Sequence, residues 1–197
     1  MNYLAHIFLS GGNHRTQIGN FIGDFVKGSR FNDYPSGIRR GILLHRKIDE
    51  YTDSHPVVLK VKVFLRPAFG RYSGIITDMY FDYFLAARFN HYTSRSLNVF
   101  AFQFYFFALL NYRHLPVKVQ RFVFHFVGTN RLKKYGSLDG LKDSLEIMSN
   151  YKIPAIDPEK TIAFLVQHHH ELETDFALFF PDLIKFCHKE NSLMQIK

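Results

Sequence analysis

The chain of 197 residues has no tryptophan and a single cysteine, Cys187. One thiol excludes an internal disulfide framework and a cysteine-rich zinc site, and it suits a reducing cytoplasm. Long apolar runs are missing too. The greasiest stretch, Val99–Leu110 (VFAFQFYFFALL), has 12 residues, with Gln103 inside it and Asn98 and Asn111 at its ends. A bilayer span needs about 20, so this stretch reads as a buried helix. The opening MNYLAHIFLSGGNH has no basic leader and sets His6 inside its short apolar run, so it does not read as a signal peptide. Repeats and low-complexity tracts are also absent. The expectation is a cytoplasmic protein without a membrane span, folded as one domain over residues 1–197.

What is present is basic and aromatic. Lysine and arginine outnumber the acids 25 to 17, for a net charge of +8, and phenylalanine occurs 22 times. The charge favours an acidic partner. No aromatic-and-basic motif of a known nucleic-acid fold accompanies it, so nucleic acid is not expected. Turn-forming residues punctuate the chain at 10–13, 28–35, 54–56, 70–74, 115–116, 136–139 and 152–158. Between them, apolar residues recur at helical spacing, as in Ile75, Met79, Leu85 and Phe89. From about Glu159 to Phe186 one long helical pattern is expected to kink or break briefly at Pro181. No strand pair with a hairpin turn stands out. The fold class is therefore all-α, a bundle of about eight or nine helices.

Three segments put polar groups where a helix should be apolar. In GILLHRKIDEYTDSHP, residues 41–56, His45 and Asp49 fall on the stripe of Ile38, Ile42 and Thr52, while Arg46 reaches toward Asp49, Glu50 and Asp53. In GNFIGDFVKG, residues 19–28, Asn20 and Asp24 lie four apart beside Phe21 and Phe25. In IITDMYFDYFLAARF, residues 75–89, Asp78 and Asp82 lie four apart in a nearly continuous apolar helix. A buried carboxylate without a partner costs several kcal/mol or takes up a proton. Ion pairs with Arg46 or Arg88 are one solution and a bound cation is another.

Together, His6, Asp24, His45, Asp49, Asp78 and Asp82 form an imidazole-and-carboxylate set spread over four helices. Helical bundles build metal sites from facing side chains in this way. Nitrogen and oxygen donors without thiolate suit Mn²⁺, Mg²⁺ or Fe²⁺. Such an ion polarises a phosphoryl oxygen and acidifies water, with Asp or His available as general base. The residues by themselves thus point to metal-assisted phosphoester hydrolysis. QHHHE, residues 167–171, reads as largely solvated, since adjacent helical positions diverge by about 100°. GGNHRTQIGN lacks the lysine and serine or threonine of a phosphate-binding loop.

The order MNYLAHIFLS, GNFIGDFVKG, GILLHRKIDEYTDSHP, ITDMYFDYFLA, continuing through YGSLDGLKDSLEIMS to HELETDFALFFP, closely resembles the acyl carrier protein phosphodiesterase family. The resemblance implies an all-helical, HD-like fold and Mn²⁺-dependent removal of 4′-phosphopantetheine from holo acyl carrier protein. That carrier is acidic, and Lys27, Arg30, Arg39, Arg40 and Lys47 are placed to steer it. Carried over by motif, Asp24, His45, Arg46 and Asp49 are the candidate catalytic residues. His6, Asp24, His45, Asp78 and Asp82 are the candidate metal ligands. Many relatives read Asp-His-Phe-Leu where this chain reads Asp82-Tyr83-Phe84-Leu85. The adjacent His-Asp pair of the wider HD group is absent. Which acids hold metal and which act as base stays open, as do two alternatives: action on a nucleotide or other small phosphoester, and a basic binding module without catalysis.

Overall fold

In the computed structural model, which describes residues 1–151 and 153–195, every regular element among the described residues is helical. The α-helices are α1 (Tyr3–Leu9), α2 (His14–Phe21), α3 (Ser36–Ser54), α4 (Pro56–Phe69), α5 (Ser73–Ala87), α6 (Phe89–Tyr92), α7 (Leu97–Leu110), α8 (Val117–Gly128), α9 (Arg131–Lys134), α10 (Leu138–Tyr151), α11 (Pro158–Gln167) and α12 (His169–Gln195). Short 3-10 segments link several of them, two of which, Gly23–Phe25 and Gly28–Asp33, join α2 to α3. Among the described residues twelve α-helices replace the expected eight or nine, because α6 and α9 are single turns of four residues and the closing pattern divides. That division falls at His168, which caps α11 with φ −113° and ψ 21°, while α12 runs on through Pro181.

Local chemistry starts these helices. Asn2, Asn13, Ser96 and Asp157 each accept a backbone N–H of the first turn of α1, α2, α7 and α11. Pro158 takes the first position of α11, where its missing N–H costs nothing. α5 lies at the centre, buried from Ile76 and Thr77 through Met79–Ala86 and covered by α1, α4 and α12. Much of the phenylalanine goes into ring packing. Phe81 and Phe84 meet Phe176 of α12, and Phe21 of α2 meets Phe104 of α7 edge-on at 5.1 Å.

α2 and α3 pack almost backbone to backbone. A Cβ on Gly19 would lie 1.9 Å from the Ile38 carbonyl oxygen, and one on Gly41 would lie 2.1 Å from that of Thr16. Only glycine permits this approach, and it delivers the end of α2 to the middle of α3.

α7 departs from the sequence reading. It is a helix, but Phe100, Ala101, Phe104, Tyr105 and Ala108 bury only one face. The opposite face is just as apolar and lies open, with Phe102 72% and Phe106 52% exposed. No helix among the described residues is long and apolar enough to cross a membrane.

Candidate metal centre

His45 and Asp49 stand one turn apart on α3 and meet His6 of α1, so that ligand atoms of all three lie within 4.8 Å of one another. His6 and His45 are buried and their rings stack at 3.9 Å and 19°. Asp49 sits between them. Its Oδ1 is 3.2 Å from His6 Nε2 and its Oδ2 is 3.1 Å from His45 Nε2. Asp24, on the 3-10 turn after α2, reaches in from the surface to 3.5 Å from His45 Nε2. Gly23 makes room for this: a Cβ there would stand 2.3 Å from His45 Cγ.

Asn20, fully buried on α2, orients both rings. Its carbonyl accepts His45 Nδ1–H at 2.8 Å, and its Oδ1 lies 2.8 Å from His6 Nδ1. Which way the amide faces follows from its neighbour. Ser10 Oγ donates to the His6 carbonyl at 2.8 Å, so it can only accept from Asn20, whose Nδ2 stands 2.9 Å away. That leaves Oδ1 for His6 and makes Nδ1 the protonated nitrogen. A serine hydroxyl thus fixes the tautomer of an imidazole through an amide.

Burial, then the charge on His45, lowers the His6 pKa to about 4. Burial also opposes charge on His45, but hydrogen bonds to Asp24 and Asp49 outweigh it and raise its pKa to about 9. For Asp49 burial again acts upward, and the two imidazoles overcome it to hold the carboxyl far below the usual range. Asp24 is lowered chiefly by its hydrogen bond with His45.

Two atoms argue that a cation fits this centre. Neutral His6 with Nδ1–H turns a bare Nε2 toward Asp49 Oδ1 and toward the Met1 carbonyl oxygen at 3.1 Å, three acceptors with no donor among them. His45 Nε2 is buried beside Asp49 Oδ2 at 3.1 Å and Asp24 Oδ1 at 3.5 Å, and once it gives up its proton it too faces only acceptors. With both rings neutral, as metal ligands must be, these lone pairs converge with no donor among them, which is the geometry of a ligand set around an ion. His6, His45 and Asp49 would hold it, with Asp24 at the open side.

The other expected ligands are engaged elsewhere. Asp82 is fully buried and takes the N–H of Leu4 at 2.8 Å and of Ala5 at 3.2 Å, so it caps α1. Asp78 lies 3.0 Å from the Met1 nitrogen. Neither pairs with Arg46 or Arg88; Arg88 binds Glu173. Arg46 does not tie Asp49 or Asp53. Its Nη2 donates to the carbonyls of Val26 at 3.0 Å and Gly28 at 2.7 Å, and its guanidinium lies over the Phe31 ring. It therefore pins the segment that carries Asp24. Asp53 pairs with Lys62 at 2.7 Å on the surface. Of the expected steering cations, Lys47 pairs with Glu190 and Arg40 holds Thr16, whereas Lys27, Arg30 and Arg39 are exposed. Tyr83 packs on Phe84 and His169, with its hydroxyl 3.3 Å from His169 Nε2.

The family model described as acyl carrier protein phosphodiesterase matches residues 1–183. The chain belongs to that family. The acyl carrier protein phosphodiesterase match takes in every residue of the His6, Asp24, His45 and Asp49 centre. Proteins named acyl carrier protein phosphodiesterase from Yersinia pestis and Serratia proteamaculans are 28% and 29% identical over 94% of this chain and 96% of their own. One of the same name from Salmonella agona is 30% identical over 93% and 96%. No solved structure matches. Sequence reasoning found His6, Asp24, His45 and Asp49 but passed over the orienting roles of Asn20 and Ser10. Their only signal was position, Asn20 one turn before Asp24 and Ser10 one turn after His6.

Proposed function

We propose that this protein hydrolyses the phosphodiester joining 4′-phosphopantetheine to the serine of holo acyl carrier protein, with Mn²⁺ as its ion and Mg²⁺ or Fe²⁺ as substitutes. The convergence of His6, His45 and Asp49, in a chain of the family that carries this name, supports the reading most directly. The HD-type ancestry and cytoplasmic location implied by the sequence are part of the same proposal.

A divalent ion held by His6, His45 and Asp49 would supply Lewis acidity toward a phosphoryl oxygen and toward water. The chain's own residues do the rest. Asp24, exposed and 3.5 Å from His45 Nε2 at the open side of the centre, is the carboxylate placed to accept the proton of the attacking water. Lys27 and Arg30, on the turns just beyond it, meet the acidic carrier and the phosphodiester. Arg46 acts at one remove, by holding the Val26–Gly28 backbone on which Asp24 and Lys27 are mounted. Water adds to phosphorus, the bond to the serine oxygen breaks, and that oxygen leaves with a proton. The products are apo carrier and the phosphomonoester of pantetheine.

Intact-mass spectrometry of holo acyl carrier protein, incubated with this protein with and without Mn²⁺, tests the reading. Loss of the phosphopantetheine mass that needs the ion and vanishes in Asp49→Ala is the expected result. Holo carrier left intact by folded, Mn²⁺-loaded protein would overturn it, and hydrolysis of small phosphoesters alone would move the assignment to them.

A further inference from the structure

The positive charge of this molecule is gathered in one stretch. Between Asp82 and Asp139 there is no acid, and the same 56 residues hold eight lysines and arginines. The rest of the chain has seventeen of each sign, so this stretch carries the whole excess of +8. It comprises α6 to α9, and it also bears the open face of α7.

On that face Val99, Phe102, Phe106, Leu109 and Leu110 project into solvent within an arc of about 100°. Five neighbouring positions offer neither a charge nor a hydrogen-bonding group. α8 extends the surface with Val117 and Phe124, both over 60% exposed, and the Phe124 ring lies 5.4 Å from that of Tyr112. A cleft of about 340 Å³ runs between Phe102, Phe106 and Leu109 on one side and Val127 on the other, with Asn98 and Asn130 as polar groups in its lining. Exposed cations border the patch: Arg95 before α7, Arg113 after it, and Lys118 and Arg121 on α8. A helix that is apolar all round belongs in a core or in lipid, and a patch of this kind marks a contact surface.

We infer that the α7–α8 face is a docking surface for an anionic phospholipid bilayer. Phe102, Phe106 and Leu110 enter the acyl-chain boundary while Arg113, Lys118 and Arg121 lie at the headgroups. A second copy is the poorer occupant, because two such faces would bring the excess charge of both molecules together. An acidic protein is poorer as well. Protein interfaces carry about one hydrogen bond per 100–200 Å², and the outward face of α7 has such side chains only at its margins, Asn98 and Gln103, with none among Val99, Phe102, Phe106, Leu109 and Leu110. Lipid tails require none, and an apolar helix face rimmed by cations is how a protein lies in the membrane plane without crossing it. Each cation brought to such a surface is worth roughly fivefold in partitioning.

Cosedimentation of the full chain with phosphatidylcholine vesicles, with and without about 30 mol % phosphatidylglycerol, tests the inference. Binding should need the anionic lipid and weaken as salt rises from about 0.1 M to about 0.5 M. It should fall at least about tenfold in Phe102→Ser/Phe106→Ser, and likewise in Arg113→Glu/Lys118→Glu, with helicity unchanged. Several results would overturn it. One is folded protein that ignores anionic vesicles; another is binding that survives the two phenylalanine changes. A concentration-dependent dimer dissolved by those changes would give the face to a second copy. Affinity for an acidic protein lost in the same variants, without vesicle binding, would give it to that class.

Discussion

Asn20 serves the two imidazoles with different groups, its amide to His6 and its carbonyl to His45, so mutation can separate them. Asn20→Leu keeps the carbonyl and removes the amide. His6 then loses the acceptor for Nδ1–H, and its proton is free to move to Nε2, the atom that faces the centre. Mn²⁺ affinity should fall about 10–100-fold, read by calorimetric titration. In metal-free protein, long-range nitrogen NMR of the His6 ring should report Nδ1–H before the change and Nε2–H after it. An unchanged tautomer would refute the relay through Ser10. His45 sets a second expectation. With its pKa raised to about 9 it is protonated at neutral pH, and binding an ion expels that proton. Below about pH 9, Mn²⁺ affinity should therefore rise about tenfold per pH unit; His6, at about 4, adds nothing to that slope above pH 5 or so. His45 and Asp49 were legible in the sequence because they interrupt an apolar stripe. Asn20 was not, because half of its work is done by a main-chain oxygen that no sequence pattern marks.

The approach of α2 to α3 puts the Asn20 carbonyl within reach of His45, and Gly41 sets it. Gly41→Ala should destabilise the protein by about 1–3 kcal/mol in chemical denaturation. It should also lower Mn²⁺-dependent activity, because the shift that relieves the clash carries Asn20 away from the rings. Gly12→Ala, where a Cβ meets nothing, is the control and should change neither. Equal behaviour of the two variants would mean that the helices yield without disturbing the centre. Most elements were readable from caps and spacing, and α3 most clearly. The break at His168 was not, since no proline or glycine marks it, whereas Pro181 promised a disruption that α12 absorbs. α7 was readable as a helix, but its two apolar faces are identical in kind, so nothing in its pattern told which one would lie open.

For the molecule as a whole, the sign of the charge was legible and its concentration between Asp82 and Asp139 depends on where the acids stop. The acids of α5 were harder. An acid in an apolar helix can answer to a cation or to the N–H groups at another helix's start, and Asp82 takes the second course with partners 77 and 78 residues away. That choice has a consequence for folding. Burial raises the Asp82 pKa to about 7, against about 4 in an unfolded chain. The folded state holds the proton more tightly, so this stabilisation is full below about pH 4 and is lost as pH rises through about 7. His6 tilts the other way: its pKa falls from about 6.5 to about 4 on folding, so its contribution improves as pH rises across that range. In the metal-free protein these two slopes oppose each other, and stability should change little between about pH 4.5 and about pH 6.5. Asp82→Asn removes one of them. The variant should then gain stability with rising pH, on the order of 2–3 kcal/mol over that window. The deficit of the variant relative to the parent should accordingly shrink as pH rises. Denaturant titrations in chelator at several pH values read both curves, and parallel curves would show that Asp82 stays ionised at the start of α1.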